Sequence, residues 1–365
     1  MSWISLSDRT RAHFRADGLV RIGQPLSNMR INMHQPMRRG SLLLETQVSP
    51  YDRPQLLVGY RAAHSGGTEL TLQALPGGGI VLVISRGKET FHTVVNLDTG
   101  GRIDTLRITY SWDANARRGR LSVECPGKAP ITIRNFENPL PLTLADIQEM
   151  TCDRDRCVFA NDVAFLAASD RIEPVGPMPT LEPTVPVMTD TGYRPISDIK
   201  RGDVVLTLDG SLVPVLANLR RTVPAAGLFA PVKLRAPYFG LTQDIFAAPA
   251  QQLVIGGSRV EYLFGAEHVL VPSGNLLNGN AASLRKGRLL VTYCQLMLPD
   301  HEAILCAGTY AETLNVGRIR RKNDLRRASL FCTMPRNALP EHSLTAFPVL
   351  REFDALTLAA QRAAA

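Results

Sequence analysis

Short runs alternating apolar and polar residues, broken by glycine and asparagine turns, fill the first 170 residues and leave little room for anything but sheet. They read "SLLLETQVS", "QLLVGYRA", "ELTLQAL", "GIVLVISRG", "TFHTVVNLD", "DTLRITYSWDA", "RGRLSVE" and "APITIRNF", about ten residues apart. Side chains two positions apart share one face of a strand, so each run can bury one side and wet the other. Gly77 to Gly79 and the Asp-Ala-Asn-Ala stretch at 113–116 supply turns. The triple glycine joins two strands and opens no helix, which makes it a hairpin loop rather than a phosphate cradle. Many short strands joined by turns predict a jelly-roll-like β-sandwich over residues 1–170.

Prolines at 174, 177, 179, 183 and 186 then exclude helix and remove sheet donors, so residues 171–186 read as a stiff, extended linker. Strand-like runs resume in "DVVLTLDG", "PVKLRAPYFG", "QDIFAAPAQQLVIGG", "EHVLVPSGNLLNG" and "LLVTYCQLMLPDHEAILCAG". A chain of 365 residues can hold two cores, and the expected class is all-β with two domains. Residues 316–365 read as a basic connector and a helical tail, because "SLTAFPVLREFDALTLAAQRAAA" is rich in Leu and Ala.

Charge and cysteines narrow the function classes. The net charge of +8 is partly local, with six basic residues in "RIRRKNDLRR" (Arg318 to Arg327). That run could contact phosphates, but no aromatic side chain is interleaved to stack on bases. A solvated connector is the favoured reading, and nucleic acid is not the expected partner. Cys152 and Cys157, with four residues between them in "TCDRDRCVF", cannot by themselves complete a zinc site. A local disulfide and two independent thiols both stay open, the second favoured because nothing else marks an oxidising compartment. No cofactor or metal is implied. No apolar run is long enough to span a bilayer. Arg9 and Arg11 stand where the apolar core of a secretory leader would lie, so the expectation is a cytoplasmic chain or one exported by another route.

Two resemblances add to this reading. "DTLRITYSWDANARRGRLSVE" (Asp104 to Glu124) resembles a strand pair of concanavalin-like or laminin-G-like sandwiches. In such folds an exposed aromatic ring stacks on a sugar, which makes Trp112 and Tyr110 candidate binding residues. The competing reading, favoured for a tryptophan beside a turn, is core. Residues 180–315 resemble the Hint domain of hedgehog autoprocessing proteins and inteins, in particular a bacterial branch at the C-terminal end of larger proteins. The resemblance rests on "TDTGYRPISDIKRGDVVLTLDG", "APAQQLVIGG", "EHVLVPSGNLLNG" and "YCQLMLPDHEAILCAGTYAET", in that order.

That family's reaction needs a Cys or Ser to attack the carbonyl before it, and a hydroxyl-x-x-His element to orient the amide and protonate its leaving nitrogen. Counting back from Gly192, the nucleophile position falls on Thr180 and the attacked carbonyl on Pro179. The hydroxyl-x-x-His element falls on "APAQ", with Ala248 and Gln251 at its two positions. Alanine offers no hydrogen bond, and glutamine does not release a proton near neutral pH. His301, beside Asp300, is the ionisable group that remains at a family position; a structural role is favoured for it, as for His268. Asp203 reads as a turn cap. The resemblance therefore implies a domain that keeps its fold without its reaction, presenting a sandwich that binds a glycan or other surface polymer. The alternative is self-cleavage with Thr180 as nucleophile on Pro179.

Overall fold

The computed structural model describes residues 3–19, 32–48, 53–64, 66–97, 104–127, 131–342, 345 and 347–363. They fall into two compact units, residues 1–175 and 176–365. Among the described residues the first unit has two antiparallel sheets. The larger runs Thr132–Glu137, Arg118–Glu124, Asp104–Asp113, Arg39–Val48, Val163–Ser169, Trp3–Asp8, Ala12–Phe14. The smaller runs Cys157–Phe159, Gln55–Arg61, Thr68–Leu75, Gly79–Arg86, Glu89–Asn96. Alternate residues of the two sheets meet in one core: Leu42, Leu44, Leu106 and Ile108 from one, Leu70, Leu72, Leu82 and Ile84 from the other. The sandwich expected from the alternating runs is therefore present.

Trp112 and Tyr110 belong to this core, and the expectation that they meet a sugar is corrected. Trp112 is 0% and Tyr110 2% exposed. Their rings stack at 5.3 Å between centroids, and each polar end is tied to backbone: Trp112 Nε1 donates to Met37 O (3.1 Å) and Tyr110 Oη to Leu140 O (2.8 Å). Room for the indole comes from a glycine opposite it. A Cβ on Gly40 would lie 2.4 Å from Trp112 Cζ2, and Gly40 pairs with Trp112 in the sheet. The favoured core reading holds because an inward strand position leaves a large ring nowhere else to go.

Among the described residues one α-helix interrupts the strands of this unit, Leu144–Cys152, which the alternation did not announce. Its start is a capping box: Asp146 N–H donates to Thr143 Oγ1 (3.0 Å), and Thr143 N–H returns a bond to Asp146 Oδ2 (2.8 Å). Cys152 at its end is exposed, while Cys157 is buried; both are free thiols. Burial pushes the Cys157 thiol up to about 12.

In the second unit the largest sheet runs Leu212–Pro214, Val204–Leu206, Pro186–Thr189, Ala303–Cys306, Thr309–Glu312, Gln252–Gly256, His268–Pro272, with Gly192–Pro195 paired on Pro186–Thr189. A long ribbon pairs Ala217–Pro224 with Leu290–Met297, and a small sheet joins Ile245–Ala247, Val232–Leu234 and Ala282–Leu284. Asp203 caps its turn as expected, accepting from Lys200 N–H at 2.9 Å and from Arg194 at 3.0 Å. The proline-rich stretch is not a bare spacer at its far end. Leu181 and Val185 are buried in the core of the second unit, and Leu181 bridges both Ala247 and Cys294.

The basic run is folded rather than merely solvated. Arg320 and Arg321 both bond Glu341, while Ile319 packs with Phe331 and Leu339 in a satellite cluster. The tail helix covers Glu352–Ala363. It begins later than the Leu and Ala content suggested, because Pro348 and Leu350 run extended along Leu270, exchanging two backbone bonds of 2.8 Å with it. Among the described residues no helix is long and apolar enough to cross a membrane.

Candidate functional site

The second unit brings Thr180 and Gln251 into direct contact across a separation of 71 residues in sequence, with Thr180 Oγ1 2.5 Å from Gln251 Oε1. Each is held by backbone. Thr180 lies on a short extended segment inserted between two strands: its carbonyl accepts from Ala248 N–H (2.6 Å), and Leu181 exchanges bonds with Cys294 (3.2 and 2.7 Å). Gln251 ends a turn that closes on Ala248 O at 2.8 Å, and Ser273 Oγ donates to the same carbonyl at 2.8 Å. Thr180, Ala248 and Gln251 are all buried.

A third side chain completes the cluster, and the sequence reading missed it. Gln295 Oε1 accepts from Thr180 Oγ1 at 2.7 Å and from Thr180 N–H at 3.2 Å. The two carboxamides are oriented by one carbonyl: Glu312 O accepts from Gln295 Nε2 (2.6 Å) and from Gln251 Nε2 (3.1 Å). Gln251 Nε2 also donates to Gln252 O at 2.8 Å. Gln295 Nε2 also donates to Gln251 Oε1 at 3.2 Å, and with both amide nitrogens so engaged, both amide oxygens turn toward the Thr180 hydroxyl. A signal for Gln295 existed: it stands in the quoted run "YCQLML", on an inward position of a strand.

His301 is not part of this cluster. Its Nδ1 faces Asn315 Nδ2 (3.2 Å), an amide donor, so the ring proton sits on Nε2. From there it reaches toward Thr313 O (3.3 Å) and Glu312 Oε1 (3.1 Å). The His342 ring stacks beside it at 5.5 Å. The carboxylate expected next to His301 was Asp300, but Asp300 is exposed and Glu312 takes that place. The reason is strand geometry: sequence neighbours point to opposite sides, whereas a residue on an adjacent strand faces across. Burial raises the Glu312 carboxyl to about 8 and lowers His342. Glu312 thus links two clusters, its backbone orienting the glutamines and its side chain facing His301. His268 pairs its ring with Phe347 at 5.2 Å, away from either.

Comparison with known families decides what this unit is: residues 179–318 match the family model described as a Hint domain. Residues 179–318 form a Hint domain. Among solved structures the chain is similar to the MchDnaB-1 intein carrying N145AA, at 19% identity, covering 37% of this chain and 98% of that one, TM-score 0.25. It is similar to the AceL NrdHF class 3 split intein at 11% identity, 38% and 99% coverage, TM-score 0.27. A third similar structure is the CBM40 of the Ruminococcus gnavus IT-sialidase bound to α2,6-sialyllactose, at 10% identity, 37% and 78% coverage, TM-score 0.26. No curated protein matches the chain.

Within the Hint domain the chemistry open to the cluster is limited by its proton inventory. A threonine hydroxyl can attack only if a base removes its proton, and the leaving nitrogen must gain one. Here the hydroxyl faces two carboxamide oxygens, which accept hydrogen bonds without taking a proton. The Thr180 nitrogen points its own N–H at an acceptor. Among the described residues no three His, Cys, Asp or Glu side chains group to hold a metal ion.

Proposed function

We propose that this chain is a binding protein in which the Hint domain is a non-cleaving body and the β-sandwich is the part that meets a ligand, a glycan or other surface polymer. One observation carries the first half: both the hydroxyl and the amide N–H of Thr180 are engaged by glutamine oxygens, with no titrating group in the cluster. Ester formation would break the Pro179–Thr180 C–N bond and move a proton from Oγ1 to that nitrogen. Carboxamides neither take up nor release a proton near neutral pH, so they relay none on that path.

The second half is supported by shape. The sandwich carries clefts of about 290 and 340 Å³, the first lined by Phe159 and Phe165 and the second by Phe91, each with several polar side chains, of the size and mixed character that suit a small polar ligand.

The tests are separate. Intact mass of the purified chain should stay at 40.0 kDa during long incubation with thiol or hydroxylamine, which trap thioesters and esters, and Thr180→Ala should behave identically. Fragments meeting at Pro179–Thr180 would establish autoprocessing instead. A glycan array probed with the full chain tests the sandwich, and a blank array would remove that half of the reading.

A further inference from the structure

Resting on the reading of the sandwich as the recognition part, we propose that its cleft of about 290 Å³, lined by Ser7, Arg9, Arg154, Phe159 and Asn161, binds a small oxyanion carried on a polyhydroxy body: a sugar acid or a sugar phosphate. Three observations point to that chemistry. The first is charge without partners. Neither Arg9 nor Arg154 has a carboxylate partner among the described residues. The carboxylate that also lines the cleft, Asp8, is saturated elsewhere. It accepts from Thr10 N–H (2.8 Å) and Oγ1 (2.9 Å), from Arg11 N–H (2.8 Å) and Nε (2.8 Å), and from Arg11 Nη2 (2.7 Å). It does not neutralise the cleft's guanidiniums.

The second observation is a guanidinium already set in place. Arg154 lies over the Phe159 ring at 5.1 Å, and its Nη2 donates to Asp8 O at 2.7 Å. The turn carrying it is closed by Asp153, whose Oδ1 accepts from the N–H groups of Asp155 and Arg156. A planar fork stacked on a ring and anchored at one nitrogen keeps other N–H groups for a carboxylate or phosphate, and loses little freedom when it binds one.

The third observation is a hydroxyl that the fold leaves unanswered. Ser7 is 2% exposed, and its Oγ has no hydrogen-bond partner among the described residues. A buried hydroxyl without a partner is uncommon, and Ser7 is among the residues that line this cleft. The Asn161 amide at the cleft offers a donor and an acceptor for ligand hydroxyls, while Phe159 supplies apolar surface for a ring. The cleft of about 340 Å³ on the same unit has one arginine, Arg117, beside Glu89, and so lacks the net positive character.

The test is calorimetric titration of the full chain with glucuronate, glucose 6-phosphate and glucose. Glucuronate, glucose 6-phosphate or both should bind, the tighter one naming the source of the oxyanion, and glucose should not. Arg154→Ala and Arg9→Ala should each weaken that binding about tenfold or more, as expected for loss of a charge-assisted pair. Arg134→Ala, an exposed arginine elsewhere on the sandwich, should leave it unchanged. All three variants should melt like the parent, since the replaced side chains are exposed. Absence of binding by both anions, equal binding of glucose, or binding indifferent to Arg154→Ala would overturn the assignment. An array positive for glycans and indifferent to Arg154→Ala would overturn this cleft while sparing the sandwich reading; a blank array would overturn both.

Discussion

Thr180 donates its one hydroxyl proton into a space shared by two amide oxygens, at 2.5 and 2.7 Å. Two acceptors facing one donor fix the rotamer while withholding any base. Restoring the chemistry therefore needs several changes together. The combination Thr180→Cys, Ala248→Thr and Gln251→His supplies a thiol, an orienting hydroxyl and a proton donor. It should give slow thiol-dependent cleavage after Pro179, read by mass, where each single variant gives none, because groups acting as a unit are strongly non-additive. Cleavage by Thr180→Cys alone would show that the glutamines do not block the reaction. That Thr180 and Gln251 stand near each other is what the Hint resemblance implied, since both were placed by matching its motifs. Gln295 and Glu312 were not, because their part depends on which strands lie side by side, and one sequence does not display pairing partners 115 and 17 residues away.

At the scale of elements, the aromatic rings of the sandwich core are accommodated by glycines on neighbouring strands. Gly40→Ala should destabilise the first unit by about 1–3 kcal/mol, the usual cost of overpacking, because its Cβ would meet the fully buried Trp112 ring at 2.4 Å. Gly59→Ala should be nearly neutral: its nearest neighbour is a leucine side-chain carbon at 3.4 Å. Denaturant melts of both variants check this. The alternation that revealed these strands could not say which face Trp112 takes; the glycine opposite decides it. In the second unit, burial holds the Glu312 carboxyl at about 8, above its ordinary 4.5. Between those values the folded state keeps a proton that the unfolded chain has lost, so its contribution to stability is complete below about 4.5 and disappears as pH rises through 8. Relative to Glu312→Gln, the parent should lose melting temperature steadily from pH 5 to pH 8, and parallel curves would show that Glu312 titrates normally.

Over the whole molecule the structure of the proline stretch was not legible in the sequence. Prolines predict extension; they do not tell whether extended chain is free or adopted as a strand. Here Arg171 and Ile172 are exposed, whereas Thr180 to Glu182 are buried. We expect limited proteolysis by a protease of broad specificity such as proteinase K to cut first beside the exposed Arg171 and Ile172 and to spare the largely buried stretch from Thr180 to Val187, yielding two folded fragments with separate melting transitions. A single cooperative transition, or early cutting within residues 180–187, would contradict two independent cores.

The pairing of Leu181 with Cys294 on one side and Ala247 on the other also has a mechanical meaning. Tension entering the Hint domain along the chain at Pro179 meets a segment held by backbone bonds on both sides, so it is clamped rather than left to fray. The Pro179–Thr180 peptide bond lies at the edge of this clamp, so Thr180 can shift only if the paired strands move with it.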